Sequence, residues 1–492
     1  VNLYALLEGF TPLPISVPAD MLVSGLCLDS RQIEDGNAFV ALNGAQQHGL
    51  AHAGQAIANG AGVIIFDPAG DGARLAAQVK VIPIIAINDL SGQLGNIAAR
   101  FYGQPSQSMA VIGLTGTNGK TSCSQFLAQM LEECGIIGTL GWGEWGRLHK
   151  TLNTTPDALS VQQMLASLLK NGKRTVAMEV SSHGLAQGRV NGVHFKGVVF
   201  TNITRDHLDY HGTMDAYLEA KLALLTMPGI TFVVVNLDDA SSDRIIAAAP
   251  NSAVIWGVSR TGKFLLAGES LRADNSQHHA DGLAFDACWR SLRQTVSVPL
   301  YGDFNTENAL LVLATMLAMG IDFAQATAKL RQLKPISGRM ECFGGANQPL
   351  VFVDYAHTPD ALDKALASAR QHCRQALWVV FGCGGNRDAG KRPLMGASAI
   401  RRADHVIITD DNPRFEDSTA IINTILAGHR SDKIEIIQNR EQAIQTAIQQ
   451  AACGDCIVIA GKGHEDYQEI AGVRYPFSDQ QVVLNALAMR DK

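Results

Sequence analysis

Apolar residues in this chain fall into short, nearly continuous runs that alternate with longer stretches at helical spacing, and the alternation persists from one end to the other. Near the start, Ala38–Leu42, Val63–Phe66 and Ile82–Ile87 read as strands, with a helix His52–Asn59 between the first two. A connecting helix, Leu90–Tyr102, and the loop Gly103–Ser106 lead to a strand Met109–Leu114, a Gly-rich turn and an amphipathic helix Cys123–Glu133. Further buried runs follow at Thr175–Val180, Gly197–Asn202, Phe232–Asn236 and Ala253–Val258. From about Ser337 a third set begins: strands Leu350–Asp354, Leu377–Phe381, His405–Thr409, Lys433–Ile437 and Cys456–Ala460, with helices Pro359–Arg370, Thr419–Ala427 and Glu441–Ala452 among them. Strands without polar alternation, separated by helices, predict parallel sheets covered on both faces. The expected fold is therefore α/β in three domains: an N-terminal α/β unit (1–88), a central P-loop ATPase-type parallel sheet with helices (89–336) and a C-terminal Rossmann-like domain (337–492).

Composition narrows the function classes. At 492 residues, 47% hydrophobic and 17% charged, the chain has enough material for several packed cores. Its net charge is −6 and no block of like charge occurs, which argues against nucleic acid or an anionic membrane held through bulk charge. The longest apolar stretch, Ala309–Ile321, is too short to span a bilayer and reads as a buried helix after an Asn305/Asn308 turn. No signal-peptide pattern is seen, and because the chain begins at Val1 the natural start is expected upstream. Nine scattered cysteines, an odd number, suit a reducing cytoplasm. Cys453-Gly-Asp-Cys456 is a lone C-x-x-C just before a strand, read either as core packing or as a redox or zinc pair without its partners.

The chemistry centres on Val111–Ser122. A strand feeding Gly116-Thr-Asn-Gly-Lys-Thr121 and then a helix is a phosphate cradle: backbone N–H groups and the helix start face an anion, Lys120 brings charge to the terminal phosphates, and the Thr121 hydroxyl can reach Mg²⁺. The longer pattern would place Gly where Leu114 stands, so this is a short form of the loop. Two later strands end in polar chemistry, Glu179-Val-Ser-Ser-His183 and Thr201–His207, and strand carboxyl ends in an open α/β sheet form one crevice.

On the helix Met214–Met227, Lys221 falls on the apolar stripe of Met214, Tyr217, Leu218 and Leu225. It either snorkels or, as a buried amine of lowered pKa, takes up CO₂ as a carbamate. His207 and His211 could form a zinc pair, but the run is loop-like and Mg²⁺ is the expected metal beside a phosphate loop. Gly382-Cys-Gly-Gly385 is a weak dinucleotide signal, and NAD is not invoked.

Taken together, Gly116–Thr121, Glu179–His183, Thr204–Gly212, Asn305-x-x-Asn308, Ser337–Glu341 and Asp354–Pro359 resemble the Mur ligase family, ATP-dependent amide-forming enzymes of peptidoglycan precursor assembly. The resemblance runs from Leu28 to the C-terminus. Leu28–Arg31, Asp411–Arg414 and Gly461–Asp466 resemble the branch that adds the third residue of the stem peptide. It implies an ATP site of Gly116, Thr117, Asn118, Gly119, Lys120, Thr121, Ser122, Asn305, Asn308, Arg339 and Asp354. Thr121, Glu179, His207 and a carbamylated Lys221 would stand near Mg²⁺, present as two ions, with Lys120, Lys221, His207 and Glu179 as the catalytic set.

In the same way Leu28, Ser30, Ala45, Gln46 and Gln47 of the N-terminal unit would hold the UDP moiety, and Asn153, Thr154, Thr155, Ser181, Gln187 and Arg189 the muramoyl-dipeptide. Arg387, Asp411, Asn412, Pro413, Arg414, Gly461 and Glu465 would hold the incoming amino acid. The implied substrates are UDP-MurNAc-L-Ala-D-Glu and an amino acid, joined through an acyl phosphate by a cytoplasmic monomer that neither binds nucleic acid nor enters the membrane. Meso-diaminopimelate is expected over lysine, because its distal carboxylate suits Arg414 while Asp411 and Glu465 suit an ammonium. Ligation of lysine, a folylpolyglutamate-synthetase-like ligase and a P-loop switch are the alternatives.

Overall fold

The computed structural model describes residues 1–490 except Ser16, Ala45, Ala280, Asp281 and Arg430. The described strands form sheets of four, eleven, six and two strands. In the first, Leu26–Cys27, Ala38–Ala41, Val63–Phe66 and Ile84–Ala86 run parallel in sequence order. Successive side chains point to opposite faces, so Val63 and Ile65 join one core with Leu3 and Leu6 while Ile64 and Phe66 join another with Phe39 and Ala56. The helix Leu90–Phe101, assigned above to the central domain, packs Leu90, Leu94 and Ile97 into the first of these cores. Ala158 and Leu159 of the central region share that core and seat the N-terminal unit beside residues 153–155.

The central sheet is mixed. It is parallel from Cys134–Gly138 through Thr175–Glu179, Ala110–Thr115, Phe195–Phe200, Phe232–Asn236 and Val254–Ser259 to Glu269–His279. Antiparallel strands extend both edges, Gly141–Glu144 with Arg147–His149 at one and Gly282–Trp289 with Leu292–Val298 at the other. The expectation of a parallel sheet throughout missed these edges; the outermost strand Leu292–Val298 alternates exposed and buried positions toward its end, and outward charges pair across strands, as Arg293 does with Asp274 at 2.8 Å. The phosphate-loop strand Ala110–Thr115 lies between the strands ending at Glu179 and Phe200, so their carboxyl ends open into one crevice.

Three helical expectations shift. The phosphate-loop helix is Lys120–Met130 and not Cys123–Glu133, because Gly119 (φ 85°) turns the chain directly into it and Leu131 already leaves in extended form. The predicted Asn305/Asn308 turn is the opening of the helix Asp303–Ala318, buried on nearly every side. Met214 is exposed, while Tyr217, Leu218 and Lys221 are buried as the stripe required.

The third sheet orders as Glu341–Gly344, Leu350–Asp354, Cys456–Ala460, Leu377–Phe381, His405–Ile408 and Ile434–Ile436, with only the first strand antiparallel. Helices Pro359–His372 and Lys391–Arg402 cover one face, Arg440–Gln450 and Asp479–Arg490 the other. Cys456 faces the core and Cys453 the solvent. Behind the strand Cys456–Ala460, Arg440 and Asp479 form a fully buried ion pair at 2.7 Å, and Arg440 Nη2 also donates to the Ala460 carbonyl at 3.0 Å. This pair ties the last helix to the strand whose end carries Gly461–Glu465. An Asp479→Ala substitution leaves the guanidinium buried without its anion and is expected to cost about 3–5 kcal/mol in denaturant unfolding of the full chain. An unchanged midpoint would show that the pair does not hold the helix in place.

Candidate active site

The loop begins where the strand Ala110–Thr115 ends. Gly116 takes φ 143°, and a Cβ there would lie 1.9 Å from Thr201 Oγ1, so only glycine lets the loop press against the neighbouring strand end. Thr117 N–H donates to the Asn202 carbonyl at 2.7 Å, and Thr201 Oγ1 donates to the Asn118 carbonyl at 2.5 Å. These contacts clamp the loop over the helix start that follows.

Two ammonium groups converge on one loop atom. Lys120 Nζ donates to the Gly116 carbonyl at 2.7 Å and to the Thr117 carbonyl at 2.9 Å; Lys221 Nζ donates to the same Gly116 carbonyl at 2.9 Å. Burial pushes both amines below their ordinary range, Lys221 well below it, with the charge of Lys120 adding to the effect on Lys221. Lys221 is 1% exposed and lies 4.6 Å from the ring centroid of Tyr217. The snorkelling alternative is thereby excluded.

Glu179 is fully buried, and its oxygens accept from Thr121 Oγ1 (2.8 Å), Thr139 Oγ1 (2.9 Å) and Thr139 N–H (3.0 Å). Nothing in the sequence pattern marked Thr139, which lies in the turn between the strands Cys134–Gly138 and Gly141–Glu144. His207 is held in the left-handed region (φ 54°) and caps a short helix Leu208–His211 that had been expected as loop. Burial drops the His207 imidazole to a pKa of about 4, so its ring is neutral, and Asp206 lies 3.4 Å from Nε2. His183 packs edge-on to His207 with centroids 4.7 Å apart, and His211 Nε2 contacts Ser182 Oγ at 3.0 Å.

The third domain closes over this floor. Arg339 Nη2 donates to Thr121 Oγ1 at 3.2 Å while its guanidinium lies 4.6 Å from the ring centroid of Tyr355. Asp354 does not face Arg339 as a simple partner. Its carboxylate accepts the N–H groups of Met340 (2.7 Å) and Ala356 (2.9 Å), and burial raises it to about 6. Asn118 Nδ2 reaches Asp360 Oδ2 at 3.3 Å, and Lys150 pairs with Asp466 at 2.6 Å.

Between the two domains lies a cavity of about 210 Å³ lined by 117–122, Thr154, His207, Asn308, Arg339 and Asp354, together with Phe304, Glu307, Leu311 and Lys364, which sequence reasoning did not single out. Gly116 and Asn305 are not among its lining residues; Asn305 Oδ1 instead accepts from Asn308 Nδ2 at 3.0 Å and orients it.

Beside Glu179 runs a polar strip. Thr155 Oγ1 donates to the Glu179 carbonyl (2.9 Å), Ser181 N–H donates back to Thr155 Oγ1 (2.9 Å), Arg189 holds the Thr155 carbonyl (2.8 Å) and Gln187 Oε1 (2.6 Å), and Thr154 Oγ1 meets Thr139 Oγ1 (3.0 Å). Asn153 is exposed at its margin. In the N-terminal unit Ser30 is buried with its hydroxyl on Gln55 (2.7 Å), Leu28 is half-buried, and Gln46 and Gln47 are exposed; Ala45 lies outside the described residues.

Of the predicted amino-acid residues, Asp411, Asn412, Arg414, Gly461 and Glu465 lie together. Glu465 Oε2 accepts from Lys462 Nζ (2.8 Å) and Asn412 Nδ2 (2.9 Å), Asn412 Oδ1 accepts from Lys462 Nζ (3.0 Å) and Glu469 N–H (2.9 Å), and Asp411 is buried against Gly461. Lys462 and Glu469 were not selected from sequence, though Lys462 lies within a quoted motif. Arg414 (φ 52°) donates from Nη1 to the Gly385 carbonyl at 2.8 Å, with Nε 3.4 Å from Glu469. Its charge is thus partly met inside the protein. Arg387 is exposed at the rim. The network reaches the phosphate loop through His464, which packs on Tyr355 with centroids 5.1 Å apart beneath Arg339.

A lysine pair with one member buried and the other on the cavity wall, a carboxylate-bound hydroxyl and an arginine brought by another domain describe a site for handling phosphoanhydrides. Comparison with known proteins makes the class definite. Residues 22–102 match the Mur ligase family, catalytic domain; 114–316 the Mur ligase middle domain; and 338–463 the Mur ligase, glutamate ligase domain. The chain belongs to the Mur ligase family and is a ligase that forms amide bonds. It is similar to a UDP-N-acetylmuramoyl-L-alanyl-D-glutamate--2,6-diaminopimelate ligase of Alkalilimnicola ehrlichii, 46% identical over 480 residues and 95% of each chain. A Pseudomonas aeruginosa protein of the same name is 46% identical over 481 residues, covering 95% of this chain and 96% of the relative. A solved structure of a ligase with that name matches at 35% identity and TM-score 0.70 over 99% of both chains. MurF from Thermotoga maritima in complex with ADP, at 17% identity and TM-score 0.65 over 96% of this chain and 99% of that one, shares the fold.

Because Glu179 depends on Thr139 for two of its contacts, Thr139→Val should remove the side-chain donor and destabilise the chain by about 1.5–3 kcal/mol. Denaturant titration measures this, and wild-type stability would mean that Glu179 finds its partners elsewhere.

Proposed function

We propose that this Mur ligase joins meso-diaminopimelate to UDP-MurNAc-L-Ala-D-Glu, driven by ATP. The observation that carries the acceptor assignment is the preformed network of Arg414, Asp411, Asn412 and Glu465, which sets a cation beside carboxylates as a zwitterionic distal centre requires. The names of the relatives point the same way. The work is divided among an N-terminal unit (1–88, sharing the core with Leu90–Phe101) for the UDP end, a central unit (89–336) for ATP, and a C-terminal unit (337–492) for the amino acid. Leu28, Ser30, Gln46 and Gln47 serve the first; the strip of Asn153, Thr154, Thr155, Ser181, Gln187 and Arg189 leads the dipeptide toward the phosphate loop.

In the reaction a carboxylate oxygen of the dipeptide attacks the γ-phosphorus of ATP in line, ADP departs, and an acyl phosphate remains. The amine of the acceptor then adds to the acyl carbon, and the tetrahedral intermediate expels phosphate as the amide forms. Both partners of the first step are anions. Lys120, freed from its own loop carbonyls, the loop N–H groups and Arg339 offset their repulsion in a site that the third domain screens from water. Asn308, steadied by Asn305, and Asp354, steadying the Arg339 segment, complete the nucleotide side.

The donors fit Mg²⁺: a carboxylate and a hydroxyl oxygen 2.8 Å apart at Glu179 and Thr121, and an imidazole at His207 kept neutral by burial. Among the described residues no group of three or more His, Cys, Asp or Glu could hold a metal alone, which suits ions brought in with phosphate oxygens. Bound there, Mg²⁺ would neutralise phosphate charge. Lys221 fits a carbamate, since a buried amine of lowered pKa beside Lys120 is both nucleophilic and relieved of repulsion once it carries a negative charge. No helix among the described residues is long and apolar enough to cross a membrane, and the proposed enzyme acts as a monomer in the cytoplasm.

ATP-dependent ligation compared side by side with meso-diaminopimelate and lysine tests the assignment. Turnover should favour meso-diaminopimelate, and Arg414→Ala should raise its KM by about tenfold or more while sparing kcat. Equal use of both amino acids, or equal loss with each, would sink it. Lys221→Ala is expected to lower kcat by about 10²-fold or more and to recover in part with added formate or acetate as a surrogate anion. Full activity without any additive would remove Lys221 from the mechanism.

A further inference from the structure

The run Gly382-Cys-Gly-Gly385 follows the strand Leu377–Phe381 without opening a helix, since the next one begins only at Lys391. None of its three glycines has a positive φ, so conformational freedom does not explain them. Space does. A Cβ on Gly382 would meet the Thr409 carbonyl at 2.2 Å, and one on Gly385 the Pro413 carbonyl at 1.9 Å. A Cβ on Gly384 would lie 2.9 Å from Arg414 Nη1, the end of the guanidinium itself.

The two segments are zipped together. Gly385 N–H donates to the Asn412 carbonyl (2.9 Å), Arg414 Nη1 to the Gly385 carbonyl (2.8 Å) and Phe415 N–H to Asn386 Oδ1 (3.1 Å). Arg392, nearly fully buried, donates from Nη2 to the Gly384 carbonyl (3.2 Å) and pairs with Glu416 (2.8 Å). The backbone at Gly384 is therefore anchored on both sides. Anything added to it displaces the guanidinium and not the chain. On the other flank Glu469 lies 3.4 Å from Nε, so the guanidinium presents its outer, Nη2 side to a ligand.

The structure assigns the Gly382–Gly385 run to acceptor selection: Gly384 leaves the space that seats the Arg414 guanidinium at the position where it forks the distal carboxylate of the amino acid. Gly384 acts through Arg414 and is a positioning residue. The inference rests on the proposed use of meso-diaminopimelate.

A double-mutant cycle tests it, with wild type, Gly384→Ala, Arg414→Ala and the double variant assayed on meso-diaminopimelate and on lysine. Gly384→Ala should raise the meso-diaminopimelate KM by about tenfold with kcat and the ATP KM unchanged, leave lysine use as it was, and add nothing further once Arg414 is Ala. Thermal unfolding of Gly384→Ala close to wild type shows that the chain still folds. Additive losses in the double variant, or equal losses with both amino acids, would overturn the role of Gly384 while leaving the proposed reaction intact. A wild-type enzyme that does not use meso-diaminopimelate would overturn both.

Discussion

Two lysines donate to the same backbone carbonyl, Lys120 and Lys221 to Gly116, at a depth where water does little to separate their charges. Two unit charges a few ångströms apart at an effective dielectric near 20 repel by about 3–4 kcal/mol, and burial adds to that cost. The arrangement is tolerable only when one amine is neutral or when anions arrive. Much of the surrounding structure follows from that requirement. Glu179 is satisfied by hydroxyl and amide donors and not spent on either lysine, the loop glycines bring backbone N–H groups up to the same space, and Arg339 is delivered from a separate domain.

Delivery from a separate domain has a chemical reason. An acyl phosphate hydrolyses if water reaches it before the amine does, so cation, acceptor and cover are best supplied together. The third domain carries all of them: Arg339 on one segment, the Asp411–Arg414 and Gly461–Glu465 segments beside it, and Tyr355 and His464 packed between. The buried Arg440–Asp479 pair lies behind this face and ties the last helix to the strand Cys456–Ala460.

In the proposed reaction, acceptor choice falls to a guanidinium with few degrees of freedom. Arg414 is held in a left-handed conformation, anchored to Gly385, flanked by Glu469 and given room by Gly384. The glycine run, ambiguous as a dinucleotide signal, is explained by that packing alone.

The amino-acid sequence by itself determined the alternation of strand and helix, the phosphate loop and its short form, the place of Lys221 on the apolar stripe of its helix, and the motifs that place the chain among the Mur ligases. Each of these is local: hydrophobic period, turn chemistry and residue spacing depend only on near neighbours. The antiparallel edges of the central sheet, the partnership of Thr139 with Glu179, the shared carbonyl of the two lysines, and the contact of Gly384 with Arg414 were decided by the tertiary structure. These join residues far apart in the chain, and only the packing of one element on another fixes their distances. His207 shows the boundary well. Its presence could be read from sequence, but its left-handed backbone and its packing against His183 and Asp206 are features that no local pattern encodes.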